Sequence, residues 1–272
     1  MVPFGGFYET DGTGIFRTAS AGARLISRTA MDSHLGAAKG GALYTVQAVN
    51  ENQAFSGFLE LDSSLAKLVK EALDGARLRL GSDRTRGLGD VRVTSLIPVE
   101  EAHLRLRKPV EDRLAAFTES LEEAGGLEPA MRREAGLEGE DWLVFPLTLY
   151  SGAVVTDEYL RHQTYLDAGA LRMAARCWPD SGPRWPDDLR LVRAFTSTSL
   201  RAGWNSAHGL PKPRDLVIDR GAVFVFAAPE DERDTIVSCL QQLERSGVGQ
   251  RRDEGFGQII VCHPFHLQKE GV

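Results

Sequence analysis

Arginines and glycines recur together at two places in the chain, in a pattern suited to binding phosphate. The first segment, GSDRTRGLG, spans residues 81–89, and the second, GVGQRRDEGFG, spans residues 247–257. Glycine lets the backbone adopt positive φ and approach a ligand closely, and successive N–H groups in such turns form concave anion sites. Arginine adds a planar guanidinium group that matches phosphate. The repeat predicts two related phosphate-binding loops.

The elements that must position these loops follow the same order in both copies. Around the first loop, apolar spacing predicts a strand, a helix and a second strand at residues 54–61, 65–73 and 91–99. Around the second loop, the corresponding elements are predicted at residues 221–228, 229–246 and 257–265. Strand, helix, glycine loop and strand form the second half of a ferredoxin-like βαββαβ unit. We therefore expect two such units in tandem.

The front halves of the two units are less alike. In the second unit, strands are predicted within residues 142–155 and 189–200, and a helix within residues 157–177. In the first unit, residues 12–41 are rich in small and polar side chains and predict an extended loop, followed by one short element near residues 43–49. A strand and a helix are therefore missing from the first unit, and one edge of its sheet is expected to be open.

The predicted fold class is α+β, with two tandem ferredoxin-like (RRM-like) domains at residues 1–110 and 111–272, the first of them incomplete. A chain of 272 residues with 42% hydrophobic content can build two domains with cores. Its three cysteines are far apart and form no CxxC pair, which argues against a disulfide scaffold and a zinc site. The sequence shows neither a signal peptide nor an apolar run long enough to cross a bilayer. We expect a cytoplasmic protein with no metal, cofactor or membrane partner.

Charge is unevenly distributed along the chain. The net charge of −6 is unusual for a nucleic-acid-binding protein, whose binding surface is generally basic. Residues 111–141 hold ten acidic side chains against three arginines, whereas residues 77–108 hold eight basic side chains against four acidic ones. The basic stretch is either a phosphate-binding surface around the first glycine loop or a plain solvated one. A further basic tract at residues 201–220 is predicted to be a surface loop.

Several segments resemble one known family. They are GLGDV and GFGQI at the two last strands, SRTAMDSHLGAAKGGALYTVQAVNENQAFSGFLEL, GWNSAHGLPKPRDLVIDRGAVFVF, and LERSGVGQRRDEGFGQIIVCHPFH at the end of the second unit. Together they resemble the RAMP superfamily of CRISPR-associated proteins, and within it the two-domain RAMP subunit of type III-D effector complexes. The resemblance covers nearly the whole chain.

The resemblance implies an RNA-binding subunit of an RNA-guided antiviral complex. Such subunits contact the 5′ tag of the CRISPR RNA and lie near other RAMP subunits and the large subunit; target RNA is a second candidate ligand. The residues expected to bind RNA are Arg28, Arg84, Arg86, Gly87, Gly89, Lys212, Arg214, Arg251, Arg252, Gly255 and Gly257. Trp204 and Tyr44 are candidates for stacking on bases, with core packing as the ordinary alternative.

The resemblance also implies that part of the first domain is missing. Full-length relatives begin with a strand, a helix and another strand before the region that matches MVPFGGFYE. We expect either a split gene or a separate polypeptide that completes the first domain by strand addition.

Two other functions remain open at this point. Backbone-type RAMP subunits cut target RNA with a loop aspartate, which makes Asp32 the candidate catalytic residue of a metal-dependent endoribonuclease that cuts target or precursor RNA. Alternatively, Asp32 caps a turn or pairs with Arg28. The other function is that of a protein-only structural subunit, which docks a partner through the acidic residues 111–141. His263 and His266 suggest a metal pair by residue type, but no Cys, Asp or Glu with ligand spacing accompanies them.

Overall fold

The structure of the protein, a computed structural model, describes residues 7–10, 16–32, 34–55, 59, 61–81, 83–97, 108–139, 141–205 and 208–267. The α-helices in these ranges are α1 (Ala66–Leu73), α2 (Val110–Glu123), α3 (Pro129–Glu134), α4 (Ala168–Ala175) and α5 (Arg233–Ser246). The strands are β1 (Phe7–Thr10), β2 (Phe16–Ala19), β3 (Ala23–Asp32), β4 (Ala37–Val49), β5 (Arg77–Arg79), β6 (Asp90–Arg92), β7 (Trp142–Leu149), β8 (Arg190–Phe195), β9 (Thr198–Arg201), β10 (Trp204–Asn205), β11 (Leu210–Pro211), β12 (Asp215–Ile218), β13 (Val223–Pro229) and β14 (Ile259–Val261). None of these helices has the length and apolar content that a membrane span requires.

The chain divides into two compact units. The smaller unit contains Ala19–Arg105, and the larger unit contains Leu106–Val272 together with Met1–Thr18. Each unit combines helices with antiparallel strand pairs. The mixed helix and sheet class predicted from the sequence is therefore confirmed.

The larger unit is built on a four-stranded antiparallel sheet with the strand order β14-β7-β13-β8. Along the chain its elements follow the order β7, α4, β8, β13, α5, β14, which is that of a βαββαβ unit. The helix predicted over residues 157–177 is limited to α4. This helix begins late because Asp167 caps its first turn, where Oδ1 accepts the N–H of Ala170 at 2.7 Å.

One face of this sheet forms the main core with helices α4 and α5. The fully buried side chains of this core include Leu143, Phe145, Leu147, Leu149, Leu171, Phe224, Phe226, Ile236, Leu240 and Leu243. The buried residues of α5 recur every three or four positions, so they lie on one side of the helix. Burying each such side chain stabilises the fold by about 1.5–3 kcal/mol.

The acidic segment, residues 111–141, covers the opposite face of the same sheet. Val144, Val192 and Ala227 are buried on that face. Side chains from α2, α3 and the turns that follow them pack against these residues, including Phe117, Leu121, Leu127, Met131 and Ala135. In RRM-type proteins an open sheet face stacks RNA bases. Here the acidic segment covers that face, so its apolar residues are not available to stack on bases.

A buried ion pair holds the acidic segment in place. Arg113 of α2 is only 4% exposed and donates two hydrogen bonds to the Glu244 carboxylate of α5, at 2.8 and 2.7 Å. Arg113 also donates to the carbonyl oxygens of Lys108 and Val261, and Glu244 accepts the N–H of Val261 at 2.7 Å. The pair therefore joins α2 to α5 and β14, and its polar atoms find partners inside the fold.

The smaller unit has no comparable core. Strands β3 and β4 form a long antiparallel hairpin, β5 and β6 form a short one, and α1 precedes β5. No described residue of this unit is buried. Apolar side chains are exposed instead, among them Leu25, Leu43 and Ile97, which are 74%, 73% and 78% exposed.

Two segments predicted to be loops are strands. Residues 12–41 contain β2, β3 and the start of β4. Their small and polar composition hid a period of two, in which Ile26 and Arg28 are half-buried between exposed neighbours. The tract at residues 201–220 belongs to an antiparallel hairpin in which β9 pairs with β12 and β10 with β11. We call residues 198–218 the arm.

Other predicted strands are shorter than expected or lie outside the described residues. Of the strand predicted over residues 54–61, residues 56–58 and 60 lie outside the described ranges. The strand predicted over residues 91–99 corresponds to β6, and residues 98 and 99 also lie outside those ranges.

Candidate nucleic-acid interface

The two glycine loops have the same backbone conformation. Each contains a left-handed residue that is not glycine, Asp83 at φ 55° or Arg251 at φ 56°. A single 3-10 turn follows and ends at a left-handed glycine, Gly87 at φ 83° or Gly255 at φ 86°. The sequence predicted that the two loops are related, and their backbone dihedral angles are indeed alike.

The last glycine of each loop is required for close backbone packing. A methyl group at Gly89 would lie 1.9 Å from the carbonyl oxygen of Leu80, and one at Gly257 would lie 1.8 Å from that of Val248. In both loops the same two residues are hydrogen-bonded: Leu80 N–H donates to Gly89 at 2.8 Å, and Val248 N–H donates to Gly257 at 2.9 Å. Glycine is needed at these two positions for the loop itself.

Gly87 and Gly255 are in a different situation. A methyl group at either position would meet no atom of the described residues within 4 Å. Positive φ explains why glycine suits both positions, and the space beside them leaves this side of each loop open to a ligand.

Some backbone donors of the second loop are used inside the unit. Gln250 N–H donates to the carbonyl of Val154, and Gly257 N–H donates to that of Gly152, both at 2.8 Å. These bonds tie the loop to the segment that follows β7. They use two of the N–H groups that the glycine pattern predicted for anion binding.

The first loop brings together three residues that the sequence singled out. Arg86 Nη1 donates to the Tyr44 hydroxyl at 3.1 Å, and Arg28 Nη2 donates to the carbonyl oxygen of Arg86 at 3.2 Å. Arg86 also lies 3.5 Å from a carboxylate oxygen of Asp83. Tyr44 is 38% exposed, so the ring lies at the surface of the smaller unit beside two arginines.

The second loop is joined to the arm by four charged side chains. Glu254 accepts hydrogen bonds from Arg251 at 2.7 and 3.0 Å and from Lys212 at 2.8 Å. Arg251 Nη1 also donates to Asp215 of the arm at 2.5 Å, and its guanidinium lies 4.8 Å from the centre of the Phe256 ring. We call Lys212, Asp215, Arg251 and Glu254 the arm cluster.

The charge order at equivalent positions is reversed between the loops. Asp83 and Arg86 of the first loop correspond to Arg251 and Glu254 of the second, and both form an ion pair across three positions. The shared backbone therefore accepts either order of charge, provided that the two side chains can pair.

The arm cluster changes the acidity of its members. Hydrogen bonds from Arg251 and Lys212 lower the pKa of Glu254 to about 2. The pKa of Arg251 is raised, chiefly by its hydrogen bond to Glu254. Glu254 is therefore fully ionised at neutral pH and neutralises one of its two cations.

The other predicted basic residues are more dispersed. Arg252 Nη1 donates to the carbonyl oxygen of Ser246 at 3.1 Å, where it caps the end of α5. Arg84 and Arg214 are exposed and form no ion pair within the described ranges. These two side chains keep a positive charge that is open to solvent.

Asp32 lies at the turn between β3 and β4. Its Oδ1 accepts the N–H groups of His34 at 2.9 Å and Leu35 at 3.1 Å, and its carbonyl oxygen accepts the N–H of Gly36. This is the turn-capping arrangement that we gave as the alternative to catalysis. The cap explains why an aspartate stands at this position, and the explanation does not require a catalytic role for Asp32.

The arm carries exposed apolar side chains. Leu200, Trp204 and Leu210 are 67%, 63% and 62% exposed. The core-packing alternative is therefore wrong for Trp204, whose indole ring is open to solvent.

Sequence reasoning missed Asp215 and Glu254. Both are acidic, whereas phosphate is bound chiefly by glycine-rich turns and basic side chains, so neither residue type pointed to this site. The signal that could have found Glu254 is its spacing of three from Arg251, which repeats the spacing of Asp83 and Arg86.

His263 and His266 are structural in their contacts. Phe265 N–H donates to His263 Nδ1 at 3.2 Å, and His266 Nε2 lies 2.9 Å from the Thr148 hydroxyl. Burial lowers the pKa of His263 to about 4 and that of His266 to about 3. Across the described ranges, no group of three or more His, Cys, Asp or Glu side chains is arranged to hold a metal ion.

Comparisons with known proteins give limited similarity. No protein-family model matches the chain, and no curated protein matches it significantly. Among solved structures, a Cas6 product complex is 16% identical with a TM-score of 0.37, and 72% of each chain is covered. A Cas6 mutant is 14% identical with a TM-score of 0.37, with 88% of this chain and 83% of that chain covered. Similarity at this level does not define a family.

Proposed function

We propose that this protein is an RNA-binding structural subunit of a type III CRISPR RNA-guided effector complex, in contact with the CRISPR RNA and its 5′ tag. The motif resemblance described above suggests the complex, and the arm provides the physical argument. There, an exposed indole at Trp204 stands in the same hairpin as Lys212 and Arg214, beside a glycine loop. A stacking platform beside cations is what single-stranded nucleic acid requires.

The proposed RNA contacts are made by the arm and the open sides of the glycine loops. The sheet face of the larger unit is covered by the acidic segment, which removes the usual RRM platform. Arg84 and Arg214 supply exposed cations, and Trp204 supplies a ring on which a base can stack. These contacts bind the phosphate backbone and stack on a base. They require no catalytic group.

The tandem arrangement of two RAMP domains is part of the same proposal. The two loops share one conformation, and α1, the first loop and β6 follow the order of α5, the second loop and β14. The described part of the smaller unit buries no residue and exposes apolar side chains such as Leu25 and Leu43. We infer that another polypeptide covers this unit by strand addition, either a neighbouring RAMP subunit, the large subunit or a fragment that completes the domain.

Binding of labelled single-stranded RNA tests this function. The variant Lys212→Gln/Arg214→Gln removes two candidate phosphate contacts, and Trp204→Ala removes the stacking ring. Each lost phosphate contact should weaken binding about fivefold at ~0.1 M salt, and loss of stacking should cost about 1–3 kcal/mol. A matched control, Arg132→Gln/Arg133→Gln, removes two arginines from α3 and should leave the affinity unchanged.

Three results would contradict or redirect the proposal. Equal RNA affinity of the arm variants and the parent would refute the role of the arm. Absence of RNA binding together with retained partner binding would favour a protein-only subunit. Cleavage of RNA at one defined position, abolished by Asp32→Ala, would favour the endoribonuclease.

The partner inference has its own test. The chain alone should self-associate in light scattering and become monodisperse when co-expressed with the other subunits of its complex. A stable monomer with cooperative unfolding of the smaller unit would show that no partner is needed.

A further inference from the structure

Glu254 stands between two cations that belong to different elements. One of its carboxylate oxygens, Oε2, is 2.8 Å from Lys212 Nζ on the arm and 2.7 Å from Arg251 Nη2 on the loop. The three side chains are 31%, 23% and 36% exposed for Lys212, Arg251 and Glu254, so solvent reaches the group. A single anionic oxygen thus bridges the arm and the loop.

A phosphodiester group offers the same chemistry as this carboxylate. Arginine and lysine bind both anions through charge-assisted hydrogen bonds, and the guanidinium plane fits either. Lys212 and Arg251 are already converged on one anionic oxygen, so a phosphate oxygen in that position would find both donors in place.

The charge balance of the arm cluster makes this position weak for an incoming anion. Its two cations are matched by the carboxylates of Asp215 and Glu254. Arg251 keeps its separate bond to Asp215 at 2.5 Å, so removal of the Glu254 charge would leave the loop anchored to the arm. The cluster would then carry a net charge of one positive unit.

We propose that Glu254 is a built-in competitor for RNA phosphate, which occupies the Lys212 and Arg251 site until a phosphodiester oxygen of bound RNA replaces it. This inference rests on the proposed RNA-binding function. It adds a residue that lowers the RNA affinity, because Glu254 competes for the same two cations. In the bound state the Glu254 carboxylate turns to solvent, while Asp215 continues to hold Arg251. No covalent bond is made or broken. Lys212 and Arg251 exchange one anionic partner, the Glu254 carboxylate, for another, the RNA phosphate.

The test compares Glu254→Gln with the parent protein in fluorescence anisotropy with a labelled single-stranded RNA. The amide keeps the size of the side chain and removes its charge. Each cation released for a phosphate contact should tighten binding about fivefold at ~0.1 M salt and steepen the salt dependence by about 0.7 in the log–log slope. We therefore expect Glu254→Gln to bind RNA about 5-fold to 25-fold more tightly.

The matched control is Glu230→Gln. Glu230 pairs with Arg233 at 2.6 Å, also three positions apart, but it follows the end of β13 that is remote from the arm. This variant changes the net charge by the same amount. Because it removes only one exposed ion pair away from the arm, the RNA affinity should stay within about twofold of that of the parent.

A second variant pair keeps the proposal falsifiable if the amide perturbs the loop. Glu254→Ala must reproduce the tighter binding, and in a Lys212→Gln background the gain from either Glu254 variant must be about fivefold smaller. Affinity that is unchanged or weaker in both Glu254 variants, while the parent binds RNA, overturns this inference alone. A gain that is equally large in the Lys212→Gln background, or that Glu230→Gln also shows, overturns it as well. A parent protein that binds no RNA refutes the proposed function itself.

Discussion

The final glycine of the second loop provides a sharp test of how the loop is built. In Gly257→Ala the new methyl group would lie 1.8 Å from the carbonyl oxygen of Val248, whereas in Gly255→Ala it would meet no described atom within 4 Å. The clash at Gly257 is with the backbone, so a rotamer change cannot relieve it. The loop must open, and the bonds from Val248 N–H to Gly257 and from Gly257 N–H to Gly152 must lengthen or break.

The expected magnitudes separate the two variants. Left-handed φ costs a non-glycine residue about 1–2 kcal/mol, and this is the whole expected effect of Gly255→Ala. In Gly257→Ala the same cost is joined by about 1 kcal/mol or more for each of two backbone hydrogen bonds, which gives a total of about 4 kcal/mol. The melting temperature should fall by about 2–4 °C for each kcal/mol in a domain of this size.

Thermal unfolding of the two variants, followed by circular dichroism, measures the difference directly. Gly257→Ala should melt at least about 4 °C below Gly255→Ala. The equivalent pair in the first loop, Gly89→Ala and Gly87→Ala, should show the same order if that unit unfolds cooperatively. Equal stability of Gly257→Ala and Gly255→Ala would refute the assignment of separate roles to the two glycines.

Two further predictions concern the larger unit. Glu244→Ala leaves Arg113 buried without its carboxylate partner and should lower the free energy of unfolding, measured in urea, by about 3–5 kcal/mol. Glu230→Ala removes only the exposed partner of Arg233 and should cost at most about 1 kcal/mol. Equal effects would contradict the stabilising role of the Arg113–Glu244 pair. His263 and His266 stay neutral in the folded unit while they take up protons near pH 6.5 when unfolded, so stability is intact above that pH and falls as the pH drops toward about 4 and about 3. Between pH 7 and pH 5 the loss should be about 2 kcal/mol per histidine, and urea midpoints that do not change over this interval would contradict it.

Much of the larger unit could be predicted from its apolar pattern. The strand of residues 221–228 and the helix of residues 229–246 are close to β13 and α5, because long runs of buried side chains give a clear period. For the acidic segment, the sequence revealed the excess of negative charge but did not predict helices α2 and α3. Wherever the structure describes them, its acidic side chains are exposed, while a few apolar residues between them cover the sheet.

The smaller unit and the arm were harder to predict for a physical reason. Both are hairpins with exposed faces, so their strands lack the alternation of buried and polar residues that identifies a strand. Their structure depends on pairing between strands, which no local window contains. The arm cluster was missed for a related reason, since Asp215 and Glu254 lie far apart in sequence and meet only when the arm folds against the loop.

The most direct test of RNA binding is its salt dependence. We expect a plot of log affinity against log salt concentration for single-stranded RNA to be linear with a slope of about −2 or steeper, since each phosphate contact contributes about −0.7. Loss of Lys212 and Arg214 should make that slope shallower by about 1.4. A flat plot, or no binding of RNA to the chain either alone or with its partners, would contradict the proposed function.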